Sequence, residues 1–524
     1  MPVRLETALI DRLTPLAEDV VAGYARGLPH LAHADLRLEI VEGRFATAEN
    51  GKPRAAGEEE SLALGIRVLA GEAMIAPGYV GRSLGAADLA RLEAILKEGV
   101  RTAHRRALVN AERKAEAREK LGPLGESLAD TRLHPVPIHR ATVPATYRID
   151  PRAVGLGEMT AFSREVGGAV AALDPRVAYS YVSTSTQLGR ELFASTEGAL
   201  IDQSFALTQG LCHVVTSAGT TSQELYDVLG HQRGWEILLE GVDDPLLAFP
   251  PFPDFCRALT RDALDLAVAP ALPALDGAVT VVTDPHYNTL VSHEIVGHPV
   301  ELDRALKMET AYAGRSWLLR DLRRHEIGRQ IASPLVTAYS DPALPGYGHY
   351  AFDHEGTPAR RVVHIEHGLF TGFMNSRQTA AVLGAVPNGH WKTTDASLVP
   401  LIRMSSTVFA GGDRDPADIL GEVDHGYYLV GHRIPSIAES RENFRISARK
   451  VYEIRHGRLG QLYRDGGMMA DSRDYLMRVD AVGSDFRLYP ISNCGKGQPM
   501  QSRKLGNGGP TMRSRARLTG GMSP

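Results

Sequence analysis

The segment VSHEIVGHPVELD, residues 291–303, carries the residue types that are most informative about chemistry, because His293 and His298 flank Glu294. Imidazole nitrogens are preferred ligands of zinc. A carboxylate beside such a metal can accept a proton from bound water. The segment therefore predicts a zinc site with Glu294 as general base, although a His-Glu-x-x-x-His string also arises by chance in a chain with 19 histidines.

The spacing of the two histidines constrains the local backbone. They are five residues apart, and at about 100° per residue an α-helix would rotate the second side chain about 140° from the first. A π-bulge would align residues i and i+5, and such bulges occur at functional sites. Alternatively, the helix ends near Gly297, and Pro299 biases His298 away from the α conformation so that its imidazole swings back over the metal.

A catalytic zinc needs a third protein ligand and an open position for water. The candidates in the sequence are Cys494, Glu301, Asp303, His286 and His354. Cys494 stands in the polar, glycine-rich turn ISNCGKGQ, whereas Cys212 and Cys256 have the apolar neighbours that are typical of core cysteines. Glu301 and Asp303 are expected to orient the ligands through hydrogen bonds, with a solvated turn as the alternative.

Three further groups of charged residues have competing interpretations. Arg403 either contacts a peptide carboxylate, carbonyl or oxyanion, or forms a salt bridge. The turn that contains Asp353, His354 and Glu355 is expected to be a solvated hairpin tip. The alternating TMRSRARLT near the C-terminus favours a strand with one arginine-lined face over a nucleic-acid site.

Composition sets the broad class of the protein. The chain has 524 residues, 43% of them hydrophobic and 23% charged, and a net charge of −4, which gives no strong electrostatic case for nucleic acid or an anionic membrane. No apolar run approaches the roughly 20 residues of a membrane helix, and the start MPVRLETALIDRL lacks the apolar core of a secretory signal. Three scattered cysteines do not form a disulfide framework, so we expect a cytoplasmic location.

The pattern of helices and strands that must position these residues predicts an α+β fold. We expect two domains, residues 1–275 and 276–524. Helical spacing near 5–28, 86–121 and 158–173, interleaved with alternating strand-like runs, indicates a mixed α/β N-terminal domain. In the C-terminal half, short strands alternate with glycine-containing turns, which indicates a mostly antiparallel sandwich or barrel. The predicted metal helix lies between the two.

Several blocks, in order along the chain, resemble the TldD/PmbA family of metallopeptidases. They are STEGALIDQ, HEIVGHPVELD, FDHEGTPARRVVHIEHGLFTGFM, VPLIRMSST, ISNCGKGQPM and GNGGPTMRSRARLTGG. The resemblance is strongest over residues 276–520 and covers most of the chain.

The resemblance implies roles for individual residues. His293 and His298 match the metal histidines, Glu294 matches the catalytic base, and Cys494 matches a distant thiolate ligand. Members of the family cleave unfolded or extended peptides within a homodimer or a heterodimer of an active TldD-type and an inactive TldE-type subunit. Inactive subunits lack the His-Glu motif, which this chain retains, so the resemblance is to the active type.

Two other functions compete with a zinc peptidase. The first is a non-catalytic metal-binding or partner subunit of a TldD/TldE-like complex, which an intact Glu294 argues against because a structural site needs no base. The second is an amidohydrolase that acts on a modified peptide, because scissile amides present the same group to a zinc site.

Overall fold

The computed structural model describes residues 5–121, 130–311, 314–322 and 324–520. Two ends lie outside the described residues: residues 1–4, which begin the first expected domain and the segment MPVRLETALIDRL, and residues 521–524, which end the second expected domain. Within the described part of the chain, none of the helices combines the length and the apolar character that a membrane span requires.

The predicted α+β class is confirmed: helices cover one long-stranded sheet, and shorter strands dominate the second half of the chain. The α-helices are α1 Leu9–Glu18, α2 Leu92–Leu121, α3 Leu156–Ala171, α4 Glu236–Glu240, α5 Phe252–Val268, α6 Pro285–Val291, α7 Leu302–Ala305, α8 Arg377–Leu383, α9 Pro416–Gly421 and α10 Ser472–Met477.

The first half of the chain is built on a seven-stranded sheet. Its strands are β1 Leu31–Glu49, β2 Lys52–Ala70, β3 Ala76–Leu84, β4 Arg140–Val143, β5 Val177–Ser195, β6 Leu200–Ala218 and β7 Thr221–His231, and a two-stranded ribbon follows with β8 Val242–Asp243 and β9 Ala248–Phe249. The strand order is β3-β2-β1-β5-β6, and both β4 and β7 pair with β6. Helix α2 packs on β2 and β3, α3 packs on β1 and β5, and α5 packs on β6 and β7.

The turn between the first two long strands shows how the sequence sets their register. Asn50 and Gly51 both have positive φ, 49° and 72°. An Asn-Gly pair is the preferred sequence for a two-residue turn with this twist. The turn therefore fixes the antiparallel pairing of β1 with β2, which places Asp35 opposite Arg67.

The second half of the chain contains the remaining strands. They are β10 Val279–Thr283, β11 Leu319–Asp321, β12 Arg324–His325, β13 Ala338–Ser340, β14 Val362–Glu366, β15 Leu369–Phe370, β16 Trp391–Lys392, β17 Leu401–Ile402, β18 Ser406–Phe409, β19 His425–Ile437, β20 Asn443–Arg455, β21 Arg458–Tyr463, β22 Gly467–Asp471, β23 Ala481–Val482, β24 Arg487–Lys496, β25 Gln501–Gly509 and β26 Met512–Thr519.

Two of the sheets in this half frame the predicted metal helix. Strands β10, β19, β20, β22 and β26 pair in succession, and β26 pairs back to β10, which closes the sheet into a barrel. The other sheet has the order β15-β14-β13-β18-β25-β24. Most pairings are antiparallel, with β10–β19 and β18–β25 as parallel exceptions. As predicted, Arg513, Arg515 and Arg517 alternate with buried residues along β26.

The expectation that Asp353, His354 and Glu355 form a solvated hairpin tip is wrong, because all three are buried. Arg67, from the first sheet, binds Asp35 at 2.6 Å and Glu355 at 2.7 Å. The turn is buried because the long strands of the first half present charged partners to it, and these partners are distant in sequence.

This buried charge cluster makes stability depend on pH. Burial alone would raise the pKa of Asp35, but the charge of Arg67 outweighs burial and lowers that pKa to about 2. Ionised Asp35 therefore adds to the free energy of unfolding in full above the ordinary carboxyl pKa. This stabilisation is lost as the pH falls toward about 2.

Replacing Arg67 with methionine should lower the free energy of unfolding by about 3–5 kcal/mol, because Asp35 and Glu355 are then buried without their shared cation. Denaturant unfolding at neutral pH measures the change. The matched control is Arg101→Met on α2, where the arginine pairs with Glu98 at the surface, and this variant should unfold like the parent protein. Equal midpoints for all three proteins would contradict a role for the buried cluster in stability.

Candidate metal centre

The segment that carries the two histidines begins as a regular helix. The side chain of Asp284, directly after β10, accepts the backbone N–H of Tyr287 at 2.7 Å, and Pro285 occupies the first turn of α6. Both features are typical of helix starts, since an acidic cap and a proline satisfy the first turn. The chain then continues without a break into a π-helical turn, Ser292–Gly297.

The π turn brings the two histidines to the same side of the chain. The backbone N–H of His298 donates to the carbonyl of His293 at 3.1 Å, which is an i to i+5 bond. The two imidazole rings lie 4.7 Å apart, nearly perpendicular at 88°. The predicted π-bulge is therefore confirmed. The alternative, in which His298 leaves the α conformation, is wrong, because His298 has φ −69° and ψ −41°.

Close packing requires a glycine at the end of this turn. A Cβ added to Gly297 would lie 2.0 Å from the sulfur of Met404, a fully packed residue. The glycine thus lets Met404 pack closely against the end of the π turn.

Cys494, on strand β24, completes a cluster with the histidines. Its sulfur lies 3.6 Å from Nε2 of His298, and one potential ligand atom from each of the three residues lies within 4.8 Å of the others. All three residues are buried. Two nitrogens and a sulfur are a donor set that zinc prefers.

The other candidates for a third ligand lie elsewhere or point to other partners. His286 stacks on His432 with ring centroids 4.6 Å apart, and His354 contacts Glu191 at 3.1 Å. Cys212 and Cys256 are buried in the core of the first half, as predicted.

Hydrogen bonds to the far side of each imidazole prepare the cluster for a metal. The Asn507 amide nitrogen donates to the Thr407 carbonyl, so its oxygen accepts from Nδ1–H of His293 at 3.1 Å. Nδ1–H of His298 donates to the Glu301 carboxylate, also at 3.1 Å. In the neutral imidazoles these bonds hold the proton on Nδ1 and leave Nε2 with the lone pair that binds a metal. The residues present thus fit zinc.

Glu301 and Asp303 are buried within this support rather than exposed in a turn. Glu301 also accepts from Arg304 Nε at 2.5 Å and lies 3.3 Å from Lys496 Nζ. Asp303 binds the same Lys496 at 2.7 Å. Burial alone would raise the pKa of Glu301, but the charges of Lys496 and Arg304 outweigh it and keep the pKa well below its ordinary value. Glu301 is therefore ionised, and it accepts a hydrogen bond from Nδ1–H of His298.

Arg403 is fully buried and contacts the metal cluster through backbone atoms. Its guanidinium donates to the carbonyl oxygen of Cys494 and, at 3.0 Å, to that of Gln501. These bonds tie strands β24 and β25 together at the cysteine. The structure thus places Arg403 behind the thiol as a support for the Cys494 backbone.

Electrostatics favour a thiolate at Cys494. Burial raises the pKa of the thiol, but the nearby charges of His298, His293 and Arg403 outweigh burial and lower that pKa well below its ordinary value. In return, although burial lowers the pKa of His293, the charge of Cys494 raises it to about 9. A metal that binds here must displace the imidazole proton, so binding releases a proton.

Glu294 lies beside the cluster and pairs with a residue that sequence reasoning missed. Its carboxylate accepts from the guanidinium of Arg441, which belongs to the turn between β19 and β20. No spacing signal connects the two, since 147 residues separate them. Asn507 was also missed as a site residue, although its block, GNGGP, carried part of the family resemblance.

The chain is similar in sequence to known metallopeptidases. Residues 276–517 match the family model of the PmbA/TldA metallopeptidase C-terminal domain. A metalloprotease from Methanothermobacter thermautotrophicus is 32% identical over 63% of this chain and 67% of its own length. A zinc metalloprotease TldD homolog from Saccharolobus solfataricus is 27% identical over 47% of this chain and 52% of its own.

Solved structures share the fold. A Thermotoga maritima protein superimposes with a TM-score of 0.67 at 15% identity, over 98% of this chain and 99% of the other. TldE from Thermococcus kodakarensis superimposes with a TM-score of 0.63 at 17% identity, over 97% and 99%. At these identities the likeness concerns the fold.

Changing Cys494 to serine should sharply reduce zinc bound per chain, because one of the three candidate ligands is lost while the fold is kept. Metal analysis of purified, zinc-equilibrated protein measures the stoichiometry. Cys256→Ser makes the same change at a buried cysteine of the core of the first half and should leave zinc content unchanged. Unaltered zinc content and affinity in Cys494→Ser would remove this residue from the ligand set.

Proposed function

Because the chain belongs to the TldD/PmbA metallopeptidase family, we propose that it is an active zinc peptidase of the TldD type that hydrolyses peptide bonds in unfolded or extended polypeptides. The observation that carries the proposal is the buried cluster of His293, His298 and Cys494 with Glu294 beside it. A carboxylate next to three ligand side chains is what a hydrolytic centre requires, whereas a structural zinc site needs no such base.

His293, His298 and Cys494 would hold the zinc ion, which when bound polarises the scissile carbonyl and makes water more acidic. Glu294 accepts a proton from the attacking water as the water oxygen bonds to the carbonyl carbon. The same carboxyl group then gives that proton to the amide nitrogen as the carbon–nitrogen bond breaks. Asn507 and Glu301 keep both imidazoles oriented throughout, because their acceptor oxygens fix the proton on each Nδ1.

The position of strand β24 supports an extended substrate. This strand carries Cys494 and is the terminal strand of its sheet, paired with β25. An extended peptide can add to such an edge through main-chain hydrogen bonds, which give loose sequence preference. A peptide bound this way would lie alongside the strand that carries Cys494.

We also propose a dimeric assembly, either of two copies or with a TldE-like subunit, which the shared fold with TldE supports. The second half of the chain is rich in strands, and sheet edges are commonly covered by a partner. The three free cysteines support a reducing, cytoplasmic location.

Replacing Glu294 with glutamine should lower turnover of an unfolded protein substrate by about 10²–10⁴-fold, because general-base assistance is typically worth that much. The amide keeps the size of the carboxylate but does not accept the proton. Zinc content should be unchanged, because the ligand set is complete without Glu294. Both quantities are measured in the same preparation, beside Glu366→Gln as an exposed control on β14.

Two outcomes would contradict this assignment. Turnover close to that of the parent protein, with zinc bound, would remove Glu294 from the mechanism. Loss of zinc from Glu294→Gln would instead identify Glu294 as a ligand or as a structural support of the cluster.

A further inference from the structure

The proposed general base is engaged by a cation in the free protein. Oε2 of Glu294 accepts from the guanidinium of Arg441, and the two side chains are only 10% and 6% exposed. One of the two carboxylate oxygens of Glu294 is therefore already occupied by a guanidinium. An anion that takes the arginine frees this oxygen for a water molecule.

The backbone of Arg441 is unusual for the residue it carries. Arg441 has φ +68°, a left-handed conformation that favours glycine or asparagine. Its N–H donates to the carbonyl of Ala438 at 2.9 Å, and its own carbonyl accepts from the hydroxyl of Ser472 at 2.7 Å. Local strain held in place by surrounding bonds is concentrated at functional sites.

The side chain of Arg441 also departs from the usual behaviour of a hairpin turn. A long cation in a turn normally extends into solvent, whereas this one is buried against the metal cluster. The neighbouring acids already have cations: Glu301 contacts Arg304 and Lys496, and Asp303 contacts Lys496. Arg441 is thus the cation that faces Glu294.

The charges of the cluster favour an anionic ligand. Glu294, Glu301 and Asp303 are matched in number by Arg441, Arg304 and Lys496. A bound divalent ion adds positive charge that these acids do not offset. A substrate that brings its own carboxylate restores the balance in a buried site, where charge interactions are strong.

We propose that Arg441 selects peptides that carry a carboxylate close to the scissile bond, either an acidic side chain or a free C-terminus. This inference rests on the proposed peptidase function. The substrate carboxylate takes the guanidinium, and Glu294 is released to accept the proton of water. Arg441 therefore discriminates in two ways: it binds the acidic substrate, and it keeps the base engaged when the substrate is neutral.

The test uses pairs of fluorogenic peptides that differ only in glutamate or glutamine at one position, scanned over the positions on both sides of the cleaved bond, together with free-acid and amide C-termini. The parent protein should cleave the carboxylate member of at least one pair about 10- to 100-fold more efficiently in kcat/KM, the range expected for a charged hydrogen bond.

Arg441→Gly removes the side chain where the backbone already suits glycine. We expect this variant to lose the preference to within about threefold and to cleave the neutral peptides faster than the parent protein does, a gain that mere structural damage would not produce. Arg441→Lys should retain a weakened preference. His456→Gly, a left-handed position in the exposed turn after β20, is the matched control and should keep the parent preference. Zinc content and melting temperature are measured for each variant.

The outcomes separate this inference from the proposed function. If the zinc-loaded parent protein cleaves no peptide, the peptidase proposal fails. If it cleaves both members of every pair equally, the selectivity proposal fails and the peptidase proposal stands. Equal loss of both activities in Arg441→Gly, with zinc and melting temperature preserved, would make Arg441 a positioning residue for Glu294 and overturn the selectivity proposal. If Arg441→Gly does not fold, the parent protein and Arg441→Lys decide: an unchanged preference in Arg441→Lys overturns the proposal.

Discussion

The two imidazoles meet on one side of the chain because the helix widens by one residue between Ser292 and Gly297. An i to i+5 hydrogen bond from His298 to the carbonyl of His293 replaces the usual i to i+4 bond. With a regular helix the second ring would face away, and Cys494 would have a single imidazole beside it. The absence of a side chain at Gly297 lets Met404 pack directly beneath this turn. The geometry of the whole site follows from this local change in winding.

The strands and buried charges around the π turn hold its side chains in one chemical form. Asn507 and Glu301 each accept a hydrogen bond from an Nδ1–H, so Nε2 is the nitrogen of each ring that is left to bind a metal. Lys496 connects Glu301 to Asp303 with no exposure to solvent. These groups come from the start of α7 and from the paired strands β24 and β25, so the pairing of these two strands also sets the orientation of the histidines.

The sequence was sufficient for features that depend on neighbours along the chain. Hydrophobic periodicity predicted the α+β class, and the spacing of His293 and His298 predicted the π turn as one of two solutions. Contacts between residues far apart in the sequence could not be predicted from it. The sequence around Glu355 predicts a solvated turn, because nothing near it in the sequence indicates that Arg67 of the first sheet is its partner. Nothing near Arg441 in the sequence indicates that Glu294 is its partner.

X-ray absorption spectroscopy at the zinc edge of the zinc-loaded protein tests the central claim most directly, because it reports the atoms bound to the metal. We expect one sulfur at about 2.3 Å and nitrogen or oxygen neighbours at about 2.0–2.1 Å, with the multiple-scattering pattern of imidazole. A first shell of oxygen and nitrogen without sulfur, or with more than one sulfur, would contradict a site formed by His293, His298 and Cys494.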